Sequence, residues 1–296
     1  MTDLLKVGMA WQSIADALGD PFEFEHDIKI ADVLKAIHSE APLSVTDDSQ
    51  MAYFSMRALE EQLSKSPKTF PQIVRAAYLE WYSTQIGQAK NHPHIPVELF
   101  KRRAPGNTCM TALGYIRETG DSLPNRGRGC GSVMRILPFN TGILPPRLAL
   151  KCSLDSAVVT HHHPDNVNAV KAYCAYAQAC IENRGTTNVP ERVKRATSIG
   201  QLGAGFYADE AVNMAIWANY YAHSYEEMLT FSIGHDGDSD SVGAIAAGLW
   251  GLRTKTMPPQ SLLSRVIEWP VLEKQVDSLL AVAAQARGNQ LPAKDS

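Results

Sequence analysis

Apolar residues recur at helical spacing along most of this sequence, and runs of alternating β-branched residues are nearly absent. That regularity argues for helices packed on helices rather than a sheet. Leu5, Met9, Ile14 and Leu18 keep the spacing up to Gly19, a plausible stop. Met51, Phe54, Ala58, Leu59 and Leu63 keep it after an acidic start at Asp47-Asp48. Residues 69–82 place Ile73, Val74, Ala77, Tyr78 and Trp81 on one face. An Ala-rich stretch from Val167 to Cys180 opens on Pro164-Asp165, and proline suits a first helical turn. Ser224-Tyr225-Glu226-Glu227 reads as a capping box before Met228, Phe231 and Ile233. Residues 242–252 are small and apolar almost all round, which predicts a helix deep in the core, and 271–286 form a last helix. Gly- and Pro-rich stretches at 91–105, 121–132 and 142–146 are short enough to be loops, and no repeat of 20–50 residues is present. The expectation is one domain over 1–287, followed by a polar tail at 288–296.

The chain has 296 residues, long enough to bury a sizeable core without staples. Its formal net charge of -3 leaves no basic excess for a broad nucleic-acid surface. The five cysteines, Cys109, Cys130, Cys152, Cys174 and Cys180, form no C-x-x-C pair, which favours reduced thiols. No basic stretch leads into an apolar run at the start, and no apolar stretch reaches the length of a membrane span. The expectation is a cytoplasmic protein without a membrane partner.

Two acidic segments carry the chemistry. Thr46-Asp47-Asp48-Ser49 and Asp236-Gly237-Asp238-Ser239-Asp240-Ser241 each precede an apolar helix. One reading is helix capping, in which Asp, Ser and Thr satisfy free N–H groups. One cap needs one such residue, and each start here offers two or three carboxylates. The other reading is a metal site: carboxylates brought that close need cations to stay ionised, and hard oxygen donors suit Mg²⁺, Mn²⁺ or Ca²⁺. Spacing alone leaves both readings open. An EF-hand fits poorly, because Ala247 stands where its loop requires glutamate.

Five segments in order, Ile14–Phe24, Thr46–Met51, Gly129–Pro138, Thr160–Pro164 and His235–Ile245, resemble the ADP-ribosylglycohydrolase family of the dinitrogenase-reductase-activating type. A sixth, from Leu202 through Ala211, is similar to it as well, and the resemblance runs from about Val7 to about Arg253. It implies an all-α fold, a compact orthogonal helical bundle in a single domain. It also implies two Mg²⁺ ions (Mn²⁺ as a substitute) and cleavage of a glycosidic bond at the anomeric carbon of ADP-ribose.

Carried over by position, the resemblance assigns Thr46, Asp47, Asp48, Asp238, Asp240 and Ser241 to the metals, with serine at a position where the family commonly has threonine. Glu23, set among aromatic residues, and Asp240 become catalytic candidates; the plainer reading of Glu23 is a surface loop residue. Asp16 is either a further acidic residue near the metals or a structural hydrogen-bonding group. The loop Gly129, Cys130, Gly131 and Ser132 is assigned to the diphosphate, His161 to ligand contact, and Phe206 and Tyr207 to adenine stacking or plain packing. Met134 and Arg135 read as core and structural ion-pair residues, and His162 and His163 as exposed or capping. The implied partner is an ADP-ribosylated protein or an ADP-ribose derivative, with the acceptor half read by loops within 85–105. A non-catalytic ADP-ribose binder, including an immunity protein whose partner is a toxin, is the alternative. A metal-dependent phosphatase is a third reading.

Overall fold

The computed structural model describes residues 3–88, 92, 94–185 and 187–288. Thirteen α-helices account for most of them: α1 (Leu4–Gly19), α2 (Ile30–Ile37), α3 (Asp47–Leu63), α4 (Phe70–Gln85), α5 (Asn107–Thr119), α6 (Pro146–Ala157), α7 (Pro164–Ile181), α8 (Glu191–Arg195), α9 (Ala208–Tyr221), α10 (Tyr225–Ile233), α11 (Ser239–Thr254), α12 (Gln260–Leu263) and α13 (Trp269–Gly288). No strand forms among the described residues; extended pairing is limited to two isolated bridges, Leu43 with Val266 and Gly129 with Tyr207. The fold is all-α and single-domain. None of the described helices is long and apolar enough to cross a membrane. Most of the polar tail expected at 288–296, from 289 on, lies outside the described residues.

Helix ends follow local chemistry. Asp3 caps α1 by accepting from Leu5 N at 3.1 Å. His163 caps α7, its Nδ1 accepting from Asp165 N at 3.2 Å ahead of Pro164. Ser224 Oγ accepts from Glu227 N at 3.2 Å. The return bond of that box is displaced by one residue, because Glu227 Oε2 accepts from His223 N at 2.7 Å rather than from Ser224 N.

The centre of the molecule is α1 lying antiparallel on α11. Almost every side chain of both helices is buried. Each fully buried Leu or Ile here, such as Ile14, Leu18 and Leu249, contributes about 1.5–3 kcal/mol. Small residues let the backbones approach: a Cβ on Gly251 would lie 3.0 Å from the Cα of Gly8, and one on Gly243 would lie 3.1 Å from the Ala15 carbonyl oxygen. At the far end of the seam the C-terminus of α1 meets the N-terminus of α11, and Gly19 stands directly against Asp240. Helix α3 packs on α4 and α13 and touches both central helices, so its head also reaches this end.

Candidate active site

Asp16 builds the first half of the site. It is fully buried on α1, and its Oδ1 accepts from Thr46 N at 2.9 Å and Thr46 Oγ1 at 2.7 Å, while its Oδ2 accepts from Ser49 N at 3.0 Å. One carboxylate thereby pins the first turn of α3 to α1. Burial raises its pKa to about 6, against the hydrogen bonds from Ser49 and Thr46 that hold it down. Asp16 is thus a hydrogen-bonding group to which the Thr46 hydroxyl donates, and it also lies close enough to Asp47 and Asp48 to raise both.

The second half is the head of α11. Asp238 Oδ1 accepts from Ser241 N at 3.3 Å and Asp240 Oδ1 from the same N–H at 2.8 Å. The turn before it needs glycine: Gly237 has φ +139°, and a Cβ there would sit 2.0 Å from the Ala204 carbonyl oxygen. The two halves touch through Ser241 Oγ, which donates to Asp48 Oδ2 at 3.2 Å. Residues 193 positions apart in the sequence thus share one hydrogen bond.

Glu23, Asp47, Asp48, Asp238 and Asp240 all line one cleft of about 460 Å³, with Ser241, Cys130, His161 and the glycines 129 and 131. Carboxylate oxygens of Glu23, Asp238 and Asp240 lie within 4.8 Å of one another. Burial, followed by the neighbouring carboxylates, drives Asp48 and Asp240 well above the ordinary aspartate range. Burial does the same to Asp47, although Gly106 N donates to it at 3.4 Å. Glu23 is raised to about 7, by burial first and then by Asp238 and Asp20. Asp48 Oδ1 is buried with no hydrogen-bond partner among the described residues. Among the described residues, Arg102 is the one cationic side chain on the lining. A surplus of hard anionic donors with an open oxygen is what a divalent cation such as Mg²⁺ or Mn²⁺ fits.

Larger hollows of about 660 and 760 Å³ exist elsewhere on the surface. In the second of these, Glu60 and Glu61 already accept from Ser278, Ser66 and Lys68. Glu80, His92 and His94 form another group of donors, but the Arg57 guanidinium already neutralises Glu80.

Not every expected residue reaches the cleft. Ser132 is wholly buried behind the loop, its Oγ accepting from Asn166 Nδ2 at 2.7 Å. Tyr207 is half exposed outside the lining, beneath the Arg128 guanidinium at 4.3 Å. Phe206 lines the cleft and stacks on Phe24 with ring centroids 5.5 Å apart. Both rings are open to solvent at the mouth, and Phe24 holds a positive φ of 65°. Cys130 turns its thiol to Asp238 Oδ2 at 3.0 Å and Ser241 Oγ at 3.3 Å. Arg135 is fully buried but makes no ion pair among the described residues, which corrects that half of its reading.

The sequence gives little warning of the wall formed by Arg102, Ala104, Pro105, Gly106, Asn107 and Thr108. Its only signal is the basic run Lys101-Arg102-Arg103 beside a Pro-Gly turn. This wall is tied down from behind: Gln50 Nε2 donates to the Lys101 carbonyl at 3.1 Å, Arg103 N donates to Gln85 Oε1 at 3.1 Å, and Arg103 Nη2 pairs with buried Glu268 at 2.6 Å. It is the far end of the 85–105 segment expected to read the acceptor; residues 89–91 and 93 of that segment lie outside the described residues.

The family model described as ADP-ribosylglycohydrolase matches residues 8–289. No curated protein matches the chain. A solved structure described as an ADP-ribosylglycohydrolase-related protein complex is similar, with a TM-score of 0.69 and 18% identity over 95% of this chain and 98% of that one. At that identity the likeness speaks for the fold alone, and it agrees with the all-α architecture.

Proposed function

The chain belongs to the ADP-ribosylglycohydrolase family, and we propose that it is a divalent-metal-dependent hydrolase releasing ADP-ribose from a modified protein side chain or related acceptor. Within the family we place it with the dinitrogenase-reductase-activating type, on the motifs quoted above. The observation that carries the reading is the convergence of Glu23, Asp47, Asp48, Asp238 and Asp240 on one cleft beside the 129–131 loop.

Thr46, Asp47, Asp48, Asp238, Asp240 and Ser241 would hold two Mg²⁺ or Mn²⁺ ions. Bound there, the ions would offset the clustered negative charge and order the hydroxyls of the distal ribose. Glycoside cleavage develops positive charge at the anomeric carbon. Asp240 and its neighbours stabilise that charge by fixed electrostatics. Glu23 sits at the lip of the cluster, where burial raises its pKa above the ordinary glutamate range, so it can give a proton to the leaving group or take one from water. Cys130 and the glycines beside it border the diphosphate, His161 contacts it, and Phe206 offers a face for adenine.

The test is a mixed panel of ADP-ribosylated proteins incubated with the pure protein, in Mg²⁺ and in EDTA, with free ADP-ribose quantified. Mg²⁺-dependent release is expected, and the conjugate that disappears names the linkage. ADP-ribose binding without release would replace this reading by that of a binder. Release of inorganic phosphate instead would replace it by a phosphatase.

A further inference from the structure

Arg135 raises a question that packing does not answer. It lies in the turn after the glycine loop, fully buried, with no carboxylate paired to it among the described residues. A permanent charge in the interior is costly, and an apolar side chain of similar volume commonly serves packing better. The guanidinium lies 4.3 Å over the Tyr78 ring. Its Nη2 donates to the Ser156 carbonyl and to Thr160 Oγ1, both at 2.8 Å. Thr160 Oγ1 in turn lies 2.8 Å from His161 Nδ1.

The direction of that last bond follows from two arguments. Arginine only donates, so the threonine oxygen accepts from it and has its own proton to place. His161 Nδ1 is the strong acceptor in reach; the Cys109 thiol, also close to Thr160, is a weak one. A buried cation also favours the electron-rich nitrogen of the imidazole facing it, so the lone pair belongs on Nδ1 and the proton on Nε2. Burial and Arg135 together press the pKa of His161 down to about 3, which keeps the ring neutral. The other ring edge faces the cleft. A Cβ at Gly129 would lie 3.4 Å from Nε2, and one at Gly131 would lie 3.2 Å from Cε1. No described residue makes a hydrogen bond to Nε2.

We infer that Arg135 and Thr160 are positioning residues that fix His161 as the Nε2–H tautomer, presenting an uncharged donor to a diphosphate oxygen of the ligand lying along the 129–131 loop. The inference rests on the proposed ADP-ribosyl ligand for its acceptor, and on this chain alone for its tautomer. Because the ring stays neutral, the donor is the same at every physiological pH. Each bond in the chain Arg135–Thr160–His161 polarises the next, so the charge of Arg135 reaches the cleft without occupying it.

The experiment is long-range nitrogen-15 NMR of histidine-labelled full-length protein, paired with titration and turnover of Thr160→Val and Thr160→Ser. In the wild type, His161 is expected to show a pyridine-type Nδ1 and a pyrrole-type Nε2, unchanged from pH 6 to 8. In Thr160→Val the tautomers mix. ADP-ribose then binds up to about tenfold more weakly and KM rises in step, with kcat within about twofold, the size of one neutral hydrogen bond. Thr160→Ser restores both the tautomer and the affinity. Adenosine, lacking the diphosphate, binds wild type and Thr160→Val alike. A wild-type His161 protonated on Nδ1, or a Thr160→Val that loses affinity with its tautomer intact, overturns the relay. The wild-type spectrum decides this even if the valine variant fails to fold. The stated tautomer in a protein that binds no ADP-ribose would uphold the relay and overturn its assignment to a diphosphate.

Discussion

Replacing Gly19 by alanine tests whether the meeting of α1 and α11 sets the geometry of the acidic site. The added Cβ would lie 2.5 Å from the Asp240 Cα and 2.6 Å from both Asp240 N and the Ser239 carbonyl oxygen. All three are backbone, so no side chain can swing aside. Reaching 3.4 Å, the near edge of ordinary contact, requires the head of α11 to retreat by about 0.9 Å. Overpacking of this kind costs about 1–3 kcal/mol, offset by at most about 1 kcal/mol of better helix propensity. At about 2–4 °C per kcal/mol, the melting temperature falls by a few degrees. The functional effect is larger, because Asp240 rides on the displaced backbone and a misplacement near 1 Å costs about 100-fold in turnover. Mg²⁺ titration by calorimetry, thermal melts and ADP-ribose release measure the three consequences, with Gly200→Ala as control, since a Cβ there meets nothing within 4 Å. A Gly19→Ala protein with wild-type melting, Mg²⁺ affinity and turnover would refute the argument that this contact indexes the two helices.

Other perturbations follow from the same site. Asp48→Asn should abolish Mg²⁺ binding and turnover yet stabilise the metal-free fold by about 1–3 kcal/mol at pH 8, because it removes a buried charge with an unpartnered oxygen; a lower melting point than wild type in EDTA would contradict this. The metal-free protein should lose stability as pH rises. Asp16 and Glu23 are raised in the folded state to about 6 and about 7, so their contribution is complete below the unfolded value near 4 and is lost between about pH 4 and 7. Melts in EDTA from pH 5 to 8 should fall, and saturating Mg²⁺ should flatten the slope; a flat or rising EDTA series counts against the buried cluster. Arg103→Met leaves Glu268 buried and unpaired, and should cost about 3 kcal/mol by urea unfolding while loosening the wall that carries Gly106; a loss under about 0.5 kcal/mol would mean that the pair holds nothing.

The helices legible in the sequence are those with a long apolar stripe and an explicit start. α3 and α11 announce themselves by carboxylates ahead of an apolar run, and α7 by Pro164. α9 passes unnoticed because both its faces are buried, with Ala211, Met214, Ala215 and Ala218 spread around the helix rather than along a stripe. α2 and α6 are short, and α5 sits between two Gly- and Pro-rich segments that read as loop on both sides. The surplus of acidic residues at two helix heads was readable as chemistry, since one cap needs one carboxylate. That the heads meet was legible only through the family resemblance, because the contact runs through Gly19, Asp16 and Ser241, none of which carries a local sign of its partner. Ser132 differs from expectation and Tyr207 takes the packing half of its reading for a similar reason: alternation within a tight turn sends these neighbours of cleft residues to Asn166 and to Arg128.

The pairing of α1 with α11 also has a consequence for the order in which the chain is made. Fourteen of the sixteen residues of α1 are buried in the finished fold, chiefly by a helix that begins 220 residues after α1 ends. At about 5–20 residues per second, roughly 10–45 s pass on the ribosome between the emergence of the two. Through that interval α1 has only its smaller contacts, those with α3 and the 137–140 turn among them, and the rest of its packing surface waits for α11. Helix α1 therefore completes its packing only once α11 has been made, and a chain stopped before residue 239 would lack both that central packing and the Asp240 and Ser241 of its acidic site.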